Sequence, residues 1–260
     1  MFPTADSDPS HILFCGDAHG HLNHVIDVVE KLRPRAIVLL GDIEAPAPLD
    51  VCLAPILPTC RVYWILGNHD TDAPAHYDAL IQAKHHNIQR ISGQVARVPG
   101  SDPPLTLAGL DGVFRTKIWA PDNVMDLSEN CAHGLTQAAY VATMGKGNRW
   151  RDGMPLRHRS TIFPNQILDL SKLRTHILVT HEAPGCHPHG FRVLGDLART
   201  MGASHSFHGH HHTNVDYGVI EGVHTRGVGI RSVMNLAGEV LVDGTANDAI
   251  PSTWVGTTGH

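Results

Sequence analysis

Short apolar runs recur along the chain, separated by amphipathic or polar stretches, and in the first 90 residues the two alternate regularly. His11–Gly16 (HILFCG), Ala36–Leu40 (AIVLL) and Arg61–Leu66 (RVYWIL) are continuous apolar runs with the length of buried strands. Between the first two, apolar residues at 22, 25, 26, 28, 29 and 32 mark one face of a helix over Leu22–Leu32. Between the second and third, Pro46–Pro58 carries four prolines and leaves room for a helical turn near Leu49–Leu53. Ala75–His86 predicts a helix, and Gln94–Val98 and Leu105–Leu110 two shorter strands. Strands alternating with helices predict parallel β-α-β units, whose right-handed crossovers bring the strand ends to one edge.

Gly112–Pro164 breaks this rhythm. It has few buried-strand signals and many Gly, Asn, Arg and Trp residues, with a helix predicted over Leu135–Met144. It reads as an insertion or cap-like excursion (112–164) within a single domain covering 1–260. Regularity returns with a helix near Asn165–Leu173, a strand at Thr175–Thr180, a helix around Phe191–Met201 and a strand entering Gly209. Hairpin-like strands follow at Tyr217–Ile220, Val223–Val228 and Glu239–Val242. No internal repeat is visible.

Composition narrows the class. At 260 residues and 42% hydrophobic content, the chain has material for one large α/β domain, and 5% aromatics make its core mainly aliphatic. A formal charge of −5 offers no global basic field for nucleic acid. The five cysteines are odd in number, widely spaced and without C-x-x-C, which argues against a disulfide framework, a zinc ribbon or a redox dithiol. Cys15, inside an apolar strand, reads as a buried, inert thiol. The start, MFPTADSDPSH, has no signal-peptide pattern, and no run of 18 apolar residues occurs. The expectation is a soluble cytoplasmic protein without membrane partners. The 21 histidines are the outlier.

Many of these histidines fall in five polar clusters, most of them placed just after an apolar run. The clusters are Asp17-Ala18-His19, Gly41-Asp42, Gly67-Asn68-His69-Asp70, Thr180-His181 and Gly209-His210-His211-His212. Two cations about 3.5–4 Å apart can bind both the attacking and leaving sides of a phosphoryl transfer. They need a bridging carboxylate and terminal N and O ligands of intermediate hardness. The clusters offer Asp17, His19, Asp42, Asn68, His181, His210 and His212. In Asp17/His19 and His210/His212 the i, i+2 spacing on extended backbone puts both side chains on one face, and the same alternation turns His211 away. Glycines 16, 41, 67 and 209 permit sharp exits from the strands. Taken alone, D-x-H or G-D means little, and G-N-H-D is an ordinary turn. Their ordered conjunction is what points to a metal site.

The five-part pattern D-x-H, G-D, G-N-H-[DE], isolated His, G-H-x-H resembles that of the calcineurin-like metallophosphoesterase superfamily, over Asp17 to His212. The resemblance implies an α/β fold, a two-layer β-sandwich core flanked by helices, with a dinuclear metal site at the strand ends. It implies that Asp17, His19, Asp42 and His212 hold the first metal. Asp42 bridges to the second, completed by Asn68, His181 and His210. It implies that His69 is the non-ligand histidine that protonates the leaving oxygen or steadies the transition state. Two divalent ions are expected, Mn²⁺ first, with Fe, Zn, Ni or Mg as alternatives. A water shared between them loses a proton near neutral pH and attacks phosphorus in line. The expected reaction is hydrolysis of a phosphomonoester or phosphodiester in a phosphorylated small molecule, nucleotide or phosphoprotein, with dinucleoside polyphosphate hydrolysis a further form. A scaffold that binds metal without catalysis is the alternative from another class, and the intact ligand set and His69 argue against it.

One branch fits less well. Phosphoprotein phosphatases resemble the chain at Gly16–Gly20 (GDAHG), but their G-D-x-x-D-R-G is here GDIEAPAP, and Leu66 stands where an Arg normally precedes the third motif. The chain is therefore expected to be a bacterial-type member rather than a standard protein phosphatase. The partner that orients His69 and the arginines that grip substrate are left to be found. Gly145–Arg159 (GKGNRWRDGMPLRHR) has a local excess of four positive charges, counting Lys146. Its Arg149, Arg151, Arg157 and Arg159, with Arg115, are the candidates for binding substrate phosphate; a solvated surface loop is the plain alternative. Trp119 and Trp150 are expected to pack rather than stack on substrate. His21 and His208 are candidates for supporting the ligands, and His187 and His189 for lining the site's mouth.

Overall fold

A computed structural model describes residues 11–119, 121, 136–151 and 153–244. The start of the chain, Cys131, Asp152 and the first residue of the helix expected at Leu135–Met144 lie outside them. The apolar runs form the strands expected of them: β1 (Ile12–Cys15), β2 (Ala36–Leu39), β3 (Arg61–Trp64), β5 (Val95–Arg97), β6 (Thr106–Leu110), β7 (Ile177–Thr180) and β8 (His205–His208). The amphipathic stretches form α1 (Asn23–Leu32), α2 (Leu49–Cys52), α3 (Pro74–Ile81), α4 (Gln137–Ala142), α5 (Pro164–Ser171) and α6 (Arg192–Thr200). Strands β9 (Val215–Ile220), β10 (Val223–Gly227) and β12 (Val240–Val242) complete the C-terminal part. Two strands escaped the sequence reading, β4 (Ile88–Arg90) and β11 (Val233–Asn235). Each is three residues long, with polar residues inside it, Gln89 and Arg90 in β4 and Asn235 in β11.

Twelve strands make two sheets, ordered β12-β11-β1-β2-β3-β4 and β5-β6-β7-β8-β10-β9. Strands β1 to β4 run parallel, as do β6, β7, β8 and β10; β5, β9, β11 and β12 add antiparallel edges. Alternate residues on each strand serve two layers. Ile12, Phe14, Val38, Tyr63 and Ile65 of the first sheet meet Leu107, Ile177, Val179 and Phe207 of the second. The opposite faces, Leu13, Ile37, Leu39 and Val62 in one sheet and Ala108, Leu110 and Leu178 in the other, pack under helices. Burial on both faces is why these strands read as unbroken apolar runs. The centres of the sheets are joined by Phe14 and Phe207, stacked with ring centroids 3.7 Å apart. The result is a β-sandwich with helices outside both sheets.

The parallel strands all deliver their C-terminal ends to one edge, the usual place for ligands in such sheets. Asp17, Asp42, Asn68, His181 and His210 follow β1, β2, β3, β7 and β8 within four residues. The 112–164 stretch is tied back at its ends: Gly112 N–H donates to Leu66 O (2.7 Å), and Val113 pairs with Thr161. Trp119 and Phe114 are buried in the core under the second sheet. The four cysteines among the described residues are free thiols, and burial pushes the Cys15 thiol well up. No helix among the described residues is long and apolar enough to cross a membrane.

Candidate functional site

The seven residues singled out from the sequence converge at that edge. His181 Nε2 lies 3.1 Å from Asn68 Oδ1 and 3.3 Å from Asp42 Oδ2, and its Nδ1 is 3.7 Å from Asp17 Oδ1. His212 Nε2 is 3.7 Å from Asp17 Oδ2 and 3.3 Å from His19 Nε2. His210 lies with its ring centroid 5.0 Å from that of His181, and the ligand atoms of Asp42, His181 and His210 all fall within 4.8 Å of one another.

The route to this convergence differs from the expected one. Asp17 (φ 21°), His19 (42°), Asp42 (46°), His210 (71°) and His212 (57°) all have left-handed backbone. The D-x-H and H-x-H pairs therefore meet through tight turns, not through extended alternation. Such conformations cost a non-glycine residue roughly 1–3 kcal/mol each and persist where surroundings over-determine them. Here backbone donors do so: His69 N–H donates to Asp42 Oδ1 at 2.8 Å and His210 N–H to Asp17 Oδ1 at 3.2 Å. Gly67 allows the approach, because a Cβ there would sit 2.1 Å from Asp42 Oδ1.

The electrostatics call for a cation. Asp17 and Asp42 are buried, and their Oδ2 atoms accept no hydrogen bond. Burial raises the Asp17 carboxyl; in Asp42 burial acts the same way, but His181, with His69 and His19, outweighs it and holds the group below the usual range. Burial would keep His181 neutral, yet Asp42 and Asp17 push it up to about 10. Burial pushes His210 down to about 2, leaving a neutral imidazole of the kind metals bind. His181 Nδ1 lies 2.8 Å from Leu40 O, which orients the ring with Nε2 toward the carboxylates. Carboxylate, amide and imidazole donors around unpartnered buried oxygens fit divalent cations of the borderline kind.

A family model for calcineurin-like phosphoesterases matches residues 10–214. The chain belongs to that family. It is 33% identical over 234 residues to an uncharacterized protein of Haemophilus influenzae, covering 89% of this chain and 96% of that protein. Its fold is similar to that of TT1561 of Thermus thermophilus, with a TM-score of 0.52 and 15% identity over 88% of this chain and 96% of that one. A further solved chain matches with a TM-score of 0.54 at 11% identity, over 88% and 96% of the two chains. The family assignment places the chain among metal-dependent hydrolases of phosphoesters.

Two acidic residues of this calcineurin-like phosphoesterase, Asp72 and Glu44, were not anticipated, and a third, Asp70 of the third cluster, had been given no role. Asp72 Oδ2 lies 2.7 Å from His69 Nδ1, across a single 3-10 turn at His69–Thr71. It is an acidic partner for His69 that the altered second motif does not supply, and the i, i+3 spacing in NHDTD was its only sequence signal. Glu44, in GDIE, lies 2.5 Å from His19 Nδ1 and 3.3 Å from His76. Asp70 is buried and accepts the N–H groups of Glu44 and Gly67, both at 2.8 Å, tying the second and third motifs together. Burial and the nearby Asp42 push its carboxyl up to about 7.

The five candidate arginines separate. Arg115 donates to Thr161 Oγ1 (3.0 Å) and Ser160 Oγ (3.2 Å), and Ser160 Oγ lies 2.6 Å from Thr71 Oγ1, whose hydroxyl donates to Asn68 O. Arg157 is exposed on the turn that packs on His69–Thr71; its carbonyl accepts from Thr71 Oγ1. The others have partners of their own. Arg151 pairs with Asp78 and stacks 4.1 Å from Trp150. Arg159 donates to Tyr77 OH and lies over the Tyr77 and Trp150 rings. Arg149 donates to Met144 O. Trp150 is thus packing, as is the fully buried Trp119. His208 is turned against Tyr217, and its Nδ1 lies 2.8 Å from Gly209 O. His211 stacks on His187 (3.6 Å) with Glu182 Oε1 4.0 Å from its Nε2.

Proposed function

We propose that this chain hydrolyses phosphomonoesters or phosphodiesters with two divalent cations, Mn²⁺ first among them. Asp17, His19, Asp42 and His212 would hold one; Asp42, Asn68, His181 and His210 the other. When bound, the cations supply Lewis acidity to the phosphoryl oxygens and to water. The observation that carries the reading is the pair of buried carboxylates with unpartnered oxygens, ringed by imidazoles and one amide.

The chain's own groups do the rest. Asp42 is fixed by the His69 backbone N–H, so the ligand and the acid move as one unit. In hydrolysis a water oxygen bonds to phosphorus and the ester P–O bond breaks. His69 delivers a proton to the departing oxygen, and water restores it afterwards. Asp72 fixes the ring through Nδ1 and turns Nε2 to the other side. The ring lies 5.5 Å from that of His19, close enough to serve a phosphoryl group held at the ligands.

The test is hydrolysis of p-nitrophenyl phosphate and its bis-ester by purified protein with Mn²⁺. Turnover that disappears with EDTA and in Asp42→Asn is expected. Full activity of His69→Ala with metal retained would remove the acid role. Failure to cleave either ester under any divalent metal would favour a metal-binding scaffold.

A further inference from the structure

Glu182 and His211 meet in a way that neither a hydrogen bond nor the hydrolytic metal pair accounts for. Glu182 follows the candidate ligand His181, is buried, and accepts the backbone N–H groups of Phe114 (3.3 Å) and Ala183 (3.2 Å). Among the described residues, the one basic side chain within ion-pair range of its carboxylate is His211, with Nε2 4.0 Å from Oε1. That nitrogen is buried and has no hydrogen-bond partner among the described residues. A gap of 4.0 Å is too long for a hydrogen bond. It is within the reach of two donors on one zinc ion, each about 2.0–2.2 Å from the metal.

His210 completes a set of three. Its ring lies 4.9 Å from that of His211, and one ligand atom each from Glu182, His210 and His211 all fall within 4.8 Å of one another. Extended backbone would have turned His211 away. Instead His210 is left-handed (φ 71°), and His211 N–H donates to Gly209 O at 2.9 Å, closing a γ-turn. The turn brings both imidazoles to the His181-Glu182 segment, His210 with its ring 5.0 Å from that of His181. His187 stacks on His211 at 3.6 Å and holds its plane, and His189 N–H donates to His187 Nδ1 at 3.1 Å. His210 thus stands in two donor groups, with Asp42 and His181 in one and with Glu182 and His211 in the other.

We propose that Glu182, His210 and His211 form a third cation site, for Zn²⁺, whose occupation inhibits hydrolysis. The inhibitory part rests on the phosphoesterase reading above; the binding part does not. Two imidazoles and a carboxylate are a zinc donor set, with the fourth position open to water. Nitrogen donors favour zinc over Mn²⁺ and Mg²⁺. A neutral imidazole offers one lone pair, because its other nitrogen carries the proton. His210 therefore serves one ion at a time. Zinc held with Glu182 and His211 takes that donor from the ion that Asp42, Asn68 and His181 would hold, and the hydrolytic pair loses a ligand.

Zinc itself is the probe. Zn²⁺ is titrated calorimetrically into the Mn²⁺-loaded protein in wild type, His211→Phe, Glu182→Gln and the control His86→Ala, an exposed histidine just before β4, at the other end of the strands. Removing a residue that only supports a ligand costs about 10–100-fold in metal affinity, and removing a ligand should cost at least as much. Wild type and control should therefore show a zinc step that weakens by about 100-fold or more in both variants. An equal step in the variants, which displacement of Mn²⁺ from the hydrolytic pair would give, overturns the site, as does the absence of any step in wild type. The second measurement is hydrolysis of p-nitrophenyl phosphate in Mn²⁺ with rising Zn²⁺. Zinc should inhibit wild type, and both variants should need about tenfold more or higher. A variant-sensitive zinc step with turnover untouched overturns the sharing of His210. The same step in a protein that hydrolyses no ester supports the site and overturns the hydrolase reading. His211→Phe keeps a ring against His187 and Glu182→Gln keeps the side chain's shape, so a loss shared by both reports the donors and not the packing.

Discussion

Removing Asp72 should weaken catalysis only through His69, and by a bounded amount. The carboxylate sits 2.7 Å from His69 Nδ1, with side chains 55% and 30% exposed. A hydrogen bond to a charged group is worth about 1.5–3 kcal/mol when shielded, and an exposed ion pair about 0.2–1 kcal/mol. This geometry lies between them, so Asp72→Ala should cost about 1–1.5 kcal/mol, or roughly 5–12-fold in kcat/KM. Asp72→Asn, which keeps an acceptor but loses the charge, should fall between wild type and Ala. His69→Ala should cost far more, about 10²–10⁴-fold. The assay is kcat/KM for aryl phosphates of graded leaving-group pKa in wild type, both single variants and the double variant. Protonation matters most for poor leaving groups, so the Asp72→Ala loss should grow from p-nitrophenyl to phenyl phosphate. On a His69→Ala background it should vanish. An equal loss on that background, or one independent of the leaving group, would refute the orienting role.

Metal removal should cost stability as well as activity. At 100 times Kd a bound ion adds about 2.7 kcal/mol, roughly 5–10 °C for a chain of this size; Asp42→Asn should abolish that shift, and identical melting with EDTA and Mn²⁺ would contradict the site. Gly67→Ala would place a Cβ 2.1 Å from Asp42 Oδ1 and 2.2 Å from its N, so it should destabilise by about 1–3 kcal/mol and lose metal; wild-type metal content by elemental analysis would count against this close approach. Acid stability has its own marker. Burial, with Arg226 and His224, lowers His205 from 6.5 to about 4. The unfolded chain then takes up the proton first, so stability falls as pH drops from about 6.5 to 4 and this contribution is level below both values. In EDTA, His205→Gln should make urea midpoints less steep across that window, and an unchanged slope would refute it.

Much of this molecule is legible along the chain, for a physical reason. Strands such as Ala36–Leu39 and Ile177–Thr180, buried on both faces, must be continuously apolar, and the polar residues just beyond them stand out by contrast. Ile88–Arg90 and Val233–Asn235 do not stand out, because their pairing comes from distant neighbours. The candidate ligand residues were visible as motifs. The left-handed turns that bring them together were not, since long-range bonds hold those conformations, from His69 to Asp42, His210 to Asp17, His19 to Asp42 and Arg231 to Asp17.

The sequence by itself determined the family pattern, the layered α/β plan and the residues offered to a metal, because each is a local matter of apolar period and donor type. Tertiary structure decided which charges meet. The four arginines of 149–159 and the more distant Arg115 could not be ranked until packing sent Arg151 to Asp78 and Arg159 to Tyr77, and left Arg115 and the Arg157 backbone beside the Asn68 loop. It likewise supplied Asp72 for His69, across one turn that no motif specifies. Electrostatic partners are set by distance in space, and on flexible side chains that distance is fixed only when the fold is complete.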